Sequence, residues 1–108
     1  MIITPASKIE DKQITQYKGT VFSEVISNVV FSADIESKLT DFVSSNGDLY
    51  DSDLIELPKV KDKVLLEIEK KAQALSANAV IGVAFEYDVR SQDDNIILIA
   101  SGIAVVVE

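Results

Sequence analysis

The stretch AVIGVAFEYDVRSQDDNIILIASGIAVVV, residues 79–107, decides the fold. Two β-branched, apolar runs flank the polar segment SQDDN at 91–95, which has turn composition. The spacing predicts a strand over 79–89 and another over 96–107, paired as an antiparallel hairpin. Simple alternation in the first strand puts Ile81, Val83, Phe85, Tyr87 and Val89 on one apolar face. Val80, Gly82, Ala84, Glu86 and Asp88 fall on the other. The second strand is apolar on both faces, and a strand of that kind has to be covered on both sides.

Working back from the hairpin, residues 58–76 read as a helix. Pro58 suits its first turn. Val60, Val64, Ile68, Ala72 and Leu75 form its apolar stripe with Leu65 alongside, and Lys70 and Lys71 suit the negative end of the dipole. A shorter helix is predicted over 33–45, with Ser32 as N-cap, Asp34 and Glu36 in the first turn, and Ile35, Leu39, Phe42 and Val43 on one stripe. Asn46-Gly47 stops it, because both residues tolerate a left-handed backbone. Residues 48–57 read as a loop or an extra helical turn. Residues 13–30 form a long strand, with Val21, Val25 and Val29 on one face and Phe22, Ile26 and Val30 on the other. Gly19 within it marks a bulge or a close backbone approach. A short strand over 2–4 is closed by Pro5.

The order is strand, helix, helix, strand, strand, with no repeat and no linker. This is an α+β chain with a β-α-β-β core, a small antiparallel sheet and its helices on one face. At 108 residues it holds a single domain, 1–108. Hydrophobic residues make up 47% of the chain, and its mean hydropathy is +0.20. One helical layer covers one sheet face, and little chain remains to bury the large side chains of the other. A patch of that size is unusual on a monomer, so a second copy is the simplest cover. The alternative is a two-layer monomer whose N-terminal arm folds over the second face.

The net charge of -8 and an isoelectric point near 4.4 disfavour nucleic acid and anionic lipid as partners. Arg90 is the one arginine, so no guanidinium cluster exists to clamp phosphates. The longest apolar run, 96–107, is interrupted by Ser101 and Gly102 and is far shorter than the roughly 20 residues a spanning helix needs. With no signal-peptide pattern at the N-terminus, a cytoplasmic location is expected.

Several motifs then point to a family. Tyr17-Lys18-Gly19-Thr20-Val21 followed by Glu24, Tyr50-Asp51, Ala72 with Ser76-Ala77-Asn78-Ala79-Val80-Ile81-Gly82-Val83, and Ser101-Gly102-Ile103-Ala104-Val105 occur in that order. Their order and spacing resemble the YbjQ-like family of small uncharacterised proteins, which carries a heavy-metal-binding label. The resemblance implies a β-α-β-β core assembled into a ring-shaped homopentamer. Where the family has Gly-Gly-Arg before its Tyr-Glu step, this chain has Ser45-Asn46-Gly47-Asp48. Pro58-Lys59 stands in place of an Ala-Arg pair, and Ser23 in place of a glycine before Glu24. Functions that depend on those arginines are not implied here.

The chain contains no cysteine and no histidine. Disulfide and thiolate chemistry are therefore absent, as are the usual nucleophiles and bases other than serine. A zinc, copper or cadmium site of the ordinary kind needs thiolate or imidazole ligands, so none is expected within or between subunits. Oxygen ligands for a hard cation exist at Asp48, Asp51, Asp53, Asp93 and Asp94, but acidic residues in turns commonly serve only as caps and solvated tips. The four glycines are too scattered for a phosphate loop. The expected function is therefore a non-enzymatic homo-oligomeric module without a cofactor. The alternative is a protein that binds a small ligand or hard cation between subunits. The polar positions matching the family pattern, Glu24, Tyr50 and Asp51, are the candidate ligand-binding residues, expected to line a groove. A purely structural role is open for Tyr50, whose hydroxyl can pin the loop by a hydrogen bond.

Overall fold

The computed structural model of the chain describes residues 1–28, 35–45, 57–90 and 95–108. Its elements are β1 (Ile2–Ile3), β2 (Ile14–Asn28), α1 (Ile35–Ser44), α2 (Leu57–Ala74), β3 (Ala79–Arg90) and β4 (Asn95–Val107). One sheet has the order β1-β3-β4-β2. The hairpin forms as expected, with Arg90 opposite Asn95, and β4 pairs antiparallel with both β3 and β2. β1 pairs parallel to β3, so the sheet is mixed, not wholly antiparallel. A parallel pair needs a long connection, which β2 and both helices supply here. No described helix is long and apolar enough to cross a membrane.

Both helices lie on one face. α2 packs on β2 and β4, and α1 packs on β3. Leu39 and Phe42 of α1 and Val64, Ile68 and Ala72 of α2 are essentially inaccessible, and they meet Ile96, Leu98, Ala100 and Ala104 of β4. At the stripe positions whose side chains are described, which leaves out Ile35, the helices match the periodicity, except that Leu75 is 41% exposed. It lies past the end of α2, where the chain turns away. The Ser32 cap, the Asn46-Gly47 stop and the 91–94 turn tip lie outside the described residues.

The faces of β3 differ from simple alternation. Gly82 has φ +62° and marks a bulge between Ile81 and Ala84. The extra residue resets the phase: Val80 joins Val83 and Phe85 under the helices, while Ala79 and Ile81 turn to the other face. The arm after β1 bonds this bulge. Thr4 N–H donates to the Val80 carbonyl, and the amides of Val83 and Gly82 donate to the carbonyls of Thr4 and Ala6. On the second face, Ile9 and Ile14 pack over Ile81, Val105 and Val107. The arm thus covers one end of that face.

The turn after α2 closes as a Schellman motif. Ala77 N–H donates to the Ala72 carbonyl, and Ser76 N–H donates to the Gln73 carbonyl. The left-handed position is Ser76, with φ 64°. Glycine adopts that conformation without strain, so Ser76→Gly is expected to stabilise the chain by about 0.5–1 kcal/mol. A denaturant titration at matched protein concentration reads the shift, and an unchanged or lower midpoint would contradict it. Next in the chain, Asn78 acts as an extra rung of the sheet. Its Nδ2 donates to the Val107 carbonyl at 2.9 Å, and its Oδ1 accepts from Val107 N–H at 2.8 Å. The asparagine of the motif therefore has a structural use.

Candidate functional site

The sheet face opposite the helices is the candidate site. Register sets its rows. Thr20, Ile103 and Ile81 lie side by side across β2, β4 and β3. The next rows are Phe22, Ser101 and Ala84; Glu24, Ile99 and Glu86; and Ile26, Ile97 and Asp88. Beyond the arm this face is open: Phe22 is 60% exposed, Ile26 61% and Ile103 39%. Tyr17, at the β2 bulge that Gly19 makes with φ 133°, is 68% exposed. The apolar surface is interrupted by Glu24, Glu86 and Asp88. Glu24 and Glu86 stand two strand spacings apart, roughly 10 Å between backbones, with Ile99 between them.

Among the described residues, the backbone of β2 forms one edge of this sheet and pairs with β4 alone. Gln13 and Glu108 exchange both backbone hydrogen bonds, so even-numbered residues of β4 point their amides at β2. Past the bulge the β2 partners of those residues are odd-numbered, as in Val21↔Gly102 and Ser23↔Ala100. Thr20, Phe22, Glu24 and Ile26 therefore turn their N–H and C=O groups outward, away from β4. Lys71 of α2 reaches this edge. Its Nζ donates to the Phe22 carbonyl and stands 4.9 Å from the Phe22 ring centroid. A groove of about 300 Å³ lies here, lined by Thr20, Phe22, Lys71, Ala74 and Leu75. A cleft of about 160 Å³ runs between the arm, α2 and β3 at Pro5, Lys61 and Phe85. A wider concavity of about 950 Å³ follows the arm from Thr4 to Lys12.

Of the three candidate ligand-binding residues, Glu24 stands exposed on the open face and lines none of these hollows. Tyr50 and Asp51 lie outside the described residues, as do Asp48, Asp53, Asp93 and Asp94. Among the described residues no three acidic, histidine or cysteine side chains cluster to hold a metal ion. The Lys71–Phe22 contact was not legible in the sequence, because its partners are 49 positions apart and no local pattern joins them.

Over residues 1–108 the chain matches the model of a family described as "Putative heavy-metal-binding". It is 41% identical over 109 residues to a UPF0145 protein of Clostridium kluyveri, with both chains fully covered. It is 40% identical to a UPF0145 protein of Listeria monocytogenes, covering all of this chain and 96% of the relative. A solved structure from Pediococcus pentosaceus, a protein of unknown function in the DUF74 family, matches with a TM-score of 0.63 at 18% identity. That match covers 100% of this chain and 98% of the other, and it shows a shared fold. The donor set of this chain does not fit the metal in the family description. Heavy metals of the soft and borderline kind are held by thiolate and imidazole, and the sequence has neither.

Proposed function

The chain belongs to the YbjQ-like family, and from that membership and its open sheet face we infer that it is a non-enzymatic homo-oligomeric module, assembled as a ring-shaped pentamer. The observation that carries assembly is the exposure of Phe22, Ile26 and Ile103 on one sheet face. The arm covers only the end of that face, and a further copy is the simplest cover for the rest. The number five rests on the family resemblance. The absence of histidine and cysteine supports a non-enzymatic role, and the relatives described above carry no enzyme name.

Light scattering or native mass spectrometry at micromolar concentration is expected to report five subunits. A monomer mass would overturn the assembly reading, and a different multiple would overturn the pentamer alone. Ile103→Glu places a charge in the proposed interface and is expected to lower the mass while the far-ultraviolet circular dichroism is retained.

A second reading is favoured by the carboxylates on that same face. Assembly brings Glu24 of each copy to a subunit boundary, where it, Tyr50 and Asp51 would bind a hard cation or a small cationic or hydroxyl-rich ligand. Zn²⁺ or Cd²⁺, by contrast, is expected to show no stoichiometric submicromolar binding to metal-free protein at neutral pH. Titration calorimetry checks this, and a saturable submicromolar isotherm would show it wrong.

A further inference from the structure

We propose that Lys71 is an edge guard: its ammonium occupies the Phe22 carbonyl and so keeps β2 from pairing with β2 of a second copy. The inference shares the exposed Phe22 and Ile26 with the proposed assembly, but its readout, association beyond whatever mass the native protein has, is separate from the subunit number.

Three observations meet at this point. First, β2 is a 15-residue strand bonded on one side only among the described residues. Long open edges of this kind are templates for strand addition, and natural sheets blunt them with charges, lysine above all. Second, the outward-facing residues are Thr20, Phe22, Glu24 and Ile26, and both apolar members are about three-fifths exposed. Such a segment matches a copy of itself: in an antiparallel pair centred on Phe22, Phe22 faces Phe22, and Glu24 faces Thr20. Third, a side-chain hydrogen bond to this edge falls at that centre. Lys71 reaches it from the last turn of α2, crossing from the helical face, and its charge also lies over the Phe22 ring.

An incoming strand needs the Phe22 carbonyl as an acceptor and the space above it. Lys71 takes the acceptor and places an ammonium that an incoming strand has to displace or desolvate. A second copy is the relevant occupant because it brings the same edge at the same concentration.

The test compares the native protein with Lys71→Met, Lys71→Arg and the double variant Lys71→Met/Glu24→Pro. Methionine keeps the length and helix preference of lysine without its charge. Each protein is followed by sedimentation and thioflavin fluorescence, well below its own melting transition, with circular dichroism checking that the fold is kept. Lys71→Met is expected to gain mass steeply with concentration and to develop fluorescence, where the native protein holds a constant mass. Lys71→Arg is expected to behave as native. Proline at 24 removes an amide that points outward, so the β4 ladder is untouched while strand addition is blocked. That proline also removes a charge, which by itself would favour association, so suppression in the double variant can only come from lost strand pairing. A Lys71→Met protein with native mass at every concentration overturns the proposal. So does a double variant that associates as strongly as Lys71→Met.

Discussion

Leu98→Ala is expected to lose about 2–5 kcal/mol of stability, the range for a buried leucine whose cavity does not collapse. Leu98 is fully inaccessible and sits on the helical face of β4, an interior strand. Its backbone neighbours are Val25 on β2 and Tyr87 on β3, and it belongs to the same cluster as Val64 and Ile68 of α2. Strands pinned on both sides cannot move inward to fill the space, so the cost should fall in the upper part of that range. Since small domains hold only about 5–15 kcal/mol in total, this change removes a large share. Denaturant titration measures it, at one protomer concentration because assembly shifts the midpoint. A loss below about 1 kcal/mol would show that the helical layer repacks freely over the sheet.

Gly102→Ala is expected to cost about 1–3 kcal/mol by overpacking. A Cβ at this position would lie 2.6 Å from Val80 Cγ1, 3.1 Å from the Ile81 carbonyl oxygen and 3.2 Å from Val83 Cγ2. The crowding comes from the bulge: Gly102 lies opposite the two residues that β3 inserts between Ile81 and Ala84, and both flanking valines are stiff at χ1. The cause here is steric, unlike Gly82, where a Cβ would meet nothing within 4 Å but φ is +62°. A second change separates the two mechanisms. Val80→Ala removes the nearest clashing atom, so Val80→Ala/Gly102→Ala should be less destabilised than the sum of its single variants. Val80→Ala/Gly82→Ala should be nearly additive by comparison. Strict additivity in the first pair would show that the Val80 contact is not the source of the cost.

The candidate site divides in the same way. Glu24 stood out because it matches a polar position of the family pattern, and the structure places it on the open sheet face. Its row neighbours Ile99 and Glu86 could not be named beforehand, since they depend on which strand pairs with which. Ser23, Ser76 and Asn78 were legible as motif positions only. Ser76 at a positive φ and Asn78 as a rung against Val107 explain why a glycine or an amide belongs there, which the letters do not state.

What the sequence determined by itself is what local periodicity and composition encode. The two helical stripes, the hairpin over residues 79–107 and the lack of thiolate and imidazole all follow from residue types at short spacings. Tertiary structure alone decided the strand order β1-β3-β4-β2, the parallel pairing of β1, the phase reset at Gly82 and the reach of Lys71 to Phe22. A bulge inverts the face of every residue on one side of it, yet its glycine looks the same in sequence as one kept for close packing, as at Gly102. A two-residue strand such as β1 has no period to read. Strand partners and edge contacts are set by which apolar surfaces and amides are left to satisfy once the hairpin and helices are in place, and that competition involves residues far apart in the chain.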